Sequence, residues 1–476
     1  MSVKALYAMT IGGRSVNAAA SLDVVNPANE EVIASIPDAS QDDLHAAVSA
    51  ARAAFPAWRA KPYAERQEMV RAIGGVLSAH AEDFARILTA EQGKPLDDAR
   101  LEIGGAAYWC DAIAGLEMPV TVNEDSDERR SETRHVPIGV VAGIVPWNYP
   151  VLLGIWKIAP ALLAGNTMIV KPSPFTPLTM LKLGELLTDV LPVGVLNVIS
   201  GGDSLGPWIT QHPGIDKVSF TGSTATGKRV MESAATNLKR ITLELGGNDP
   251  AIVMPDVDVD AVAEDLFWAA FRNTGQICIA TKRLYVHEDI YDRLKIALAA
   301  YAKRVEIGDG THQGVKLGPV QNRLQFDRVC SLIADSKANG HTFLLGGDVP
   351  NVPGYFIPVT IVDNPPEDSR VVQEEAFGPV LPMLKFKDVE DVVRRANDTI
   401  YGLAASIWSS DEAAAADIAS QIEAGTIWVS EVQHLTPLAT FGGHKQSGLG
   451  AENGLEGLLE YTNPQTITLK KRSAAA

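Results

Sequence analysis

The pattern of apolar positions changes near residue 138. Up to about Gly115, after an extended start, "DDLHAAVSAARAAFPAW" and "AERQEMVRAIGGVLSAHAEDFARILTAEQG" carry apolar residues at helical spacing and predict helices. Residues 119–134, "PVTVNEDSDERRSETR", are polar and partly alternating, which predicts an excursion from the main body, either a loop or a protruding hairpin. From Ile138, "IGVVAGIVPW" is a continuous apolar run bounded by turn residues, the mark of a strand buried on both faces. "TMIVKPS", "VLNVISG" and "KVSFTGS" follow, separated by helical or turn-rich stretches. Strands alternating with helices predict a parallel, doubly wound α/β sheet. A second series runs from "PAIVM" through "RLYVHEDI", "FLLGG" and "VLPMLKF" to "GTIWVS" and predicts a second α/β domain. The terminal strand "TITLKK" has no obvious partner nearby, and is expected to pair with residues 119–134 or with another subunit.

A length of 476 residues suits two or three domains, and an apolar fraction of 46% is ordinary for a globular chain. The formal charge of −17 argues against nucleic acid and an anionic membrane surface as partners. The short "KKR" at Lys470 to Arg472 reads as a solvated tail. The N-terminus has no secretory apolar stretch, and "VLLGIWKIAPALLAG" is broken by Lys157 and Pro160, too short to span a bilayer. The expectation is a cytoplasmic protein. Cys110, Cys278 and Cys330 are far apart, with no ligand spacing that would suggest a disulfide framework or a metal site.

Six short stretches could carry chemistry. In "GQICIATKR", Cys278 is either a small hydrophobe in a core or a nucleophile. "FTGSTATGK" follows a predicted strand and opens a helix, so it is a plain turn or an anion site. It has the glycine and lysine spacing of a Walker loop, but Arg229 replaces the required Ser or Thr. "KPSPFTPL" places Lys171 at a strand end, facing the ligand crevice or solvent. "VPWNYP" fixes Asn148, whose amide suits an oxyanion or a local turn. "LELGGNDP" buries Glu244 at the end of an apolar strand, as a base with a raised pKa or a structural ion pair. "EEAFGPV" is a loop with a capping acid, or part of a site.

In this order and at these separations, the stretches resemble the aldehyde dehydrogenase superfamily, from "VVNPANEEVIASIP" to "FGGHKQSGLG". The separation of Glu244 in "LELGGNDP" from Cys278 in "FRNTGQICIA" is the most specific feature of the likeness. The resemblance implies a Rossmann-like NAD(P) domain over 1–118 and 138–246 and a catalytic domain over 247–460. It also implies a small β oligomerisation extension from 119–137 and 461–476, and a homodimer or homotetramer. It assigns Cys278 as the nucleophile toward an aldehyde, Asn148 with the Cys278 N–H as oxyanion donors, and Glu244 as the base that activates water. Lys157 and Glu452 would tune charge or relay protons. NAD or NADP would lie against Val145, Pro146, Trp147, Lys171, Ser173 and Pro174. Gly201, Phe220, Gly222, Ser223, Leu245 and Gly246 would continue that surface, with Glu375 and Phe377 at the nicotinamide ribose. No metal is implied.

The aldehyde tunnel implied by motif position comprises Tyr149, Leu153, Trp156, Trp268, Phe271, Ile277, Ile279, Leu435 and Phe441. That wall is apolar and aromatic, so medium-chain aliphatic or aromatic aldehydes are expected ahead of a semialdehyde or aminoaldehyde. Three positions depart from the family pattern. Pro174 stands where a ribose-binding Glu is common, Ser430 where Asn is usual, and Ala451 where Arg is frequent. The first leaves NADP acceptable. A cysteine hydrolase or acyltransferase would need a histidine beside Cys278, and no motif offers one. An inactive structural relative is disfavoured by the intact Cys278, Glu244 and Asn148.

Overall fold

The computed structural model describes residues 5–471. Arg472 of the "KKR" tail, the terminal "SAAA" and residues 1–4 lie outside the described residues.

Among the described residues the strands form four sheets. The first has five parallel strands at its centre, in the order Arg240–Glu244, Lys217–Thr221, Val140–Ile144, Thr167–Lys171 and Leu196–Val198. Val140, Val141 and Ala142, like Met168, Ile169 and Val170, are fully buried, because helices cover both faces. This explains the uninterrupted apolar runs. Gly448–Leu449 closes one edge antiparallel, and the hairpin of Met9–Ile11 and Arg14–Val16 closes the other. The second sheet has seven strands, parallel except for Thr342–Leu345 at its edge. Its centre holds Thr281–His287 between Asp249–Val253 and Val380–Phe386. The chain is therefore α/β, with a Rossmann-like first sheet and a second sheet domain.

Residues 119–134 contribute a hairpin. Strands Val120–Asp125 and Arg129–Pro137 pair with each other, and Thr462–Lys470 adds to the second, in register from Thr462↔Pro137 to Lys470↔Arg129. Hydroxyl pairs Ser131–Thr468 (3.0 Å) and Thr133–Thr466 (2.8 Å) cross-link one face. The fourth sheet, built from Ala5–Leu6, Val32–Asp38 and Ala20–Val25, lies in the stretch that the pattern marks only as extended.

The N-terminal helices begin where the sequence supplies caps. Ser40 and Asp43 form a reciprocal capping box at the start of helix Gln41–Ala60. Helix Pro150–Leu163 begins with proline at its first turn, directly after Asn148 and Tyr149. That placement brings both side chains to the C-terminal edge of the first sheet.

Candidate active site

Strands Val140–Ile144, Lys217–Thr221 and Arg240–Glu244 end together, facing the loop that leads into Thr281–His287 of the second sheet. A cavity of about 430 Å³ opens at this meeting point, and Cys278, Glu244 and Asn148 all line it. A second cavity, of about 130 Å³, adjoins it and shares Cys278, Asn148, Leu153, Thr221 and Leu245. Cys278 thus stands on the wall between two chambers.

The nucleophile loop owes its shape to an unusual turn. Asn273, Thr274 and Gly275 all have positive φ (50°, 58° and 73°), which is strained for the first two. The surroundings hold them in place. Thr274 Oγ1 donates to Gly318 O at 2.8 Å, and Gln276 Nε2 donates to Asn273 O at 2.9 Å. Asn148 Nδ2 donates to Gln276 O at 3.0 Å, so its amide is fixed within the same loop. Burial pushes the Cys278 thiol up to about 12, against a downward pull from Lys282, with Asp249, Glu375 and Glu244 adding to the rise.

Glu244 is 4% exposed, and neither carboxylate oxygen meets a hydrogen-bond donor among the described residues. Burial holds its pKa well above the carboxylate range. Glu452 adds to that rise, and Lys157 opposes it. Lys157 Nζ lies 2.5 Å from Glu452 Oε1 and donates to Thr221 Oγ1 (2.8 Å) and Ser219 Oγ (3.2 Å). Residues far apart in sequence therefore meet as one charged cluster beside the cavity.

Of the expected tunnel residues, Tyr149, Leu153, Trp156, Ile277, Ile279, Leu435 and Phe441 line the larger cavity. Trp268 and Phe271 do not. The Trp268 indole donates to Tyr301 Oη at 3.0 Å, and Phe271 is fully buried against Phe267, with ring centroids 5.0 Å apart. Helix Val259–Phe271 turns these faces into the second sheet's core, and the left-handed turn that follows Arg272 then leads the chain to Cys278. Leu101, Gly105 and Trp109 also line the cavity, from one face of helix Leu96–Ala114. Their four-residue spacing is a helix-face signal, masked because it continues an ordinary core pattern. Trp109 stacks on Trp156 at 5.7 Å and donates to Asn453 Oδ1 at 2.9 Å. Arg272, Glu431 and His434 sit at the rim. His434, the one histidine among the described lining residues, has a 67% exposed side chain 3.4 Å from Glu431.

The smaller cavity is lined by Pro146, Trp147, Gly222, Ser223, Leu245, Gly246, Glu375 and Phe377 from the expected set, together with Gln325 and Arg328. Val145, Lys171, Ser173, Pro174, Gly201 and Phe220 are outside its lining. Lys171 is 6% exposed at its strand's end, its Nζ donates to Pro172 O at 3.4 Å, and burial lowers its pKa to about 8, against an upward pull from Asp203 and Asp38. A buried ammonium with so little compensation suits a polar ligand. Ser223 caps helix Thr224–Ala234, whose first amide groups favour an anion. A Cβ on Gly246 would come within 2.2 Å of Glu375 Oε2, so only glycine lets that carboxylate approach the strand end. These features fit a dinucleotide.

The Aldehyde dehydrogenase family profile matches residues 15–467. A probable aldehyde dehydrogenase from Pseudomonas sp is 45% identical, over 99% of this chain and 96% of that protein. Phenylacetaldehyde dehydrogenase from Pseudomonas fluorescens is 39% identical over 97% and 96%, and chloroplastic betaine aldehyde dehydrogenase from Beta vulgaris is 40% identical over 94% and 92%. The NAD+ complex of a Bacillus cereus aldehyde dehydrogenase superimposes with a TM-score of 0.96 at 34% identity, over 98% of this chain and 97% of that one. An NADP-dependent enzyme from E. coli gives 0.95 at 37% identity, over 98% of both chains. Among the described residues, no helix is long and apolar enough to cross a membrane.

Proposed function

The chain belongs to the aldehyde dehydrogenase family, and we propose that it oxidises apolar aldehydes to carboxylic acids through a thioester on Cys278, with NAD(P) as oxidant. The observation that carries this reading is the position of Cys278 between two chambers, one apolar and one bordered by Glu375, Ser223 and Gly246.

Cys278 Sγ adds to the aldehyde carbon, and the thiol proton passes to water in the chamber as the bond forms. The carbonyl oxygen becomes an oxyanion, to which the Asn148 amide and the Cys278 N–H donate. When bound, the nicotinamide supplies the oxidising step by accepting hydride from the carbon. Trp147, Glu375 and Phe377 would hold that ring's end, and Lys171 and Ser223 the remainder. Glu244 then takes a proton from water, and the hydroxide attacks the thioester carbon. Acid departs and the Cys278 thiol is restored. The raised pKa of Glu244 suits a base that must be neutral or ionised at different stages.

Glu244→Gln tests the division of labour. Reduced cofactor is expected in a burst of about one per site, followed by a stall, because the hydride leaves before water enters. Loss of the burst would move Glu244 to thiol activation and remove its assigned role.

The substrate reading rests on walls of Tyr149, Trp156, Trp109 and Phe441 with Leu153 and Leu435. Each buried methylene contributes about 0.8 kcal/mol. Among the described lining residues, Arg272 and Glu431 stand at the rim with opposite charge, beside His434. kcat/KM is expected to rise from acetaldehyde to octanal, with benzaldehyde and phenylacetaldehyde high and succinate semialdehyde and betaine aldehyde low. A maximum at either charged aldehyde would overturn it. In the same assays NADP should be accepted, because Pro174 presents no carboxylate to repel a 2′-phosphate. A preference for NAD above roughly a thousandfold, about 4 kcal/mol, would contradict this. The exposed Val120, Val122, Ile467 and Leu469 of the hairpin sheet support assembly into a homodimer or homotetramer.

A further inference from the structure

Lys282 lies four residues after Cys278 in the stretch "GQICIATKR", and its ammonium folds back inside the nucleophile loop. It is the second residue of strand Thr281–His287 and is 4% exposed. Its Nζ donates to Cys278 O at 2.6 Å, Ile277 O at 2.8 Å and Ala280 O at 3.3 Å, and lies 3.6 Å from Glu375 Oε1. Glu375 Oε1 in turn accepts the Gly247 N–H at 3.1 Å. A Cβ on Gly247 would come within 2.8 Å of Cys278 O, so the paired glycines close the back of this cluster. One buried cation therefore gathers three carbonyls of the loop and one carboxylate of the smaller cavity.

The peptide unit makes this arrangement consequential. In a planar trans peptide the C=O of one residue and the N–H of the next point in opposite directions. Since Ile277 O is turned onto the ammonium, the Cys278 N–H is turned away from it. Cys278 O is bound likewise, so the Ile279 N–H also faces away. Without this cation the Cys278 carbonyl would lose its donor and the Ile277 carbonyl would keep only the Ala280 N–H at 3.1 Å, so the peptides on both sides of Cys278 would be held less firmly.

We propose that Lys282 is the positioning residue of the nucleophile: its ammonium fixes the two peptide units around Cys278, aims the Cys278 N–H at the aldehyde oxygen, and ties that orientation to Glu375. This rests on the reading of Cys278 as nucleophile. The charge also acts on the thiol. Of the groups facing Cys278, Asp249, Glu375 and Glu244 disfavour the thiolate, and Lys282 alone favours it.

The test compares wild type with Lys282→Met, Lys282→Gln and Lys282→Arg. Three quantities are read: the rate of the reduced-cofactor burst, the KM for aldehyde, and the pH dependence of Cys278 alkylation by iodoacetamide in the cofactor-free protein. Lys282→Met should slow the burst by roughly tenfold to a hundredfold with KM little changed, because orientation rather than binding is lost. Its alkylation curve should move to higher pH. Lys282→Gln keeps N–H donors without charge, so it should recover burst rate more than alkylation. Lys282→Arg should recover both in part. If Lys282→Met does not fold, the Gln and Arg variants decide between the same outcomes. A burst rate and alkylation curve within twofold of wild type in any folded variant lacking the charge would overturn the proposal. A wild-type protein with no burst and no selective Cys278 alkylation would instead overturn the thioester reading beneath it.

Discussion

Lys94–Glu102 and Lys157–Glu452 are both ammonium–carboxylate pairs at 2.5 Å, both essentially without solvent exposure, and both beside the reaction chamber. They are completed differently. Lys94 Nζ also donates to the Asn148 carbonyl at 2.9 Å and lies 3.6 Å above the Tyr149 ring. Glu102 Oε1 accepts the Val151 and Leu152 N–H groups at 2.9 and 3.2 Å, the first amides of helix Pro150–Leu163. Every oxygen of that pair has a partner, and its contacts fix the backbone that carries Asn148. Lys157–Glu452 is left open. Glu452 Oε2 has no donor among the described residues, and neither oxygen of neighbouring Glu244 has one. A buried polar group left unmade costs about 1–3 kcal/mol, so the protein pays that cost at the place where protons must move and avoids it where a strut suffices. Complete and incomplete satisfaction separate positioning from chemistry.

Glu102→Gln should break the closed pair with the largest effect. The Lys94 ammonium would remain buried without a counter-charge, at a cost of about 3–5 kcal/mol. Urea denaturation should show a markedly lower midpoint, and the burst should slow because Asn148 loses its support. The double variant Lys94→Met with Glu102→Leu sharpens the point. Much of the stability should return, since removing both charges leaves nothing unpaired. The burst rate should stay low, because the Asn148 carbonyl loses the Lys94 donor and keeps only the longer contact from Asn273 Nδ2 at 3.3 Å. Recovery of rate along with stability would show that the pair only supports folding.

In the open pair, the expected signal is in pH dependence. Glu244 must be ionised to act, and its pKa lies above the usual range, so deacylation should rise with pH through that raised value. Glu452 contributes to the rise and Lys157 opposes it. Glu452→Gln should therefore move the rise to lower pH, and Lys157→Met to higher pH, in single-turnover thioester hydrolysis. Stability should fall less for Glu452→Gln than for Glu102→Gln, by about 1–3 kcal/mol, because Lys157 keeps Glu244 as a neighbouring acid. Shifts in the same direction for both variants would break the comparison.

The parts of this site that were readable in the sequence are those with local marks. Cys278, Glu244 and Asn148 each sit in a distinctive stretch beside glycine or proline, and the parallel strands announce themselves as uninterrupted apolar runs. Lys94, between Gly93 and Pro95, and Lys282, in the stretch that holds Cys278, carry no sign of the partners they meet. Lys94 meets Asn148 across 54 positions, and Glu375 lies in a different part of the chain from Lys282, so only the folded topology joins them. Trp268 and Phe271 were misplaced for a related reason. Their spacing from Cys278 suggests a shared wall, but the left-handed residues 273–275 redirect the chain between them. Trp109 was hidden in the opposite way: its helix face reads as core, and it is core on one side and cavity wall on the other.

The smallest expected effect is at Ser219, the neutral group shared by both members of the open pair. Its hydroxyl accepts from Lys157 Nζ at 3.2 Å and donates to Glu452 Oε1 at 3.3 Å. Both contacts are long, and Lys157 retains Thr221 and Glu452 without them. Ser219→Ala removes one oxygen next to a carboxylate that already has an unpartnered one, and Lys157 keeps its two shorter contacts. The loss of stability should be about 0.5–1.5 kcal/mol, and thioester hydrolysis should stay within about fivefold, with its pH profile unmoved. A loss above about 3 kcal/mol, or a profile displaced as in Lys157→Met, would mean that Lys157–Glu452 is a strut like Lys94–Glu102. The distinction between them would then rest on Glu244 alone.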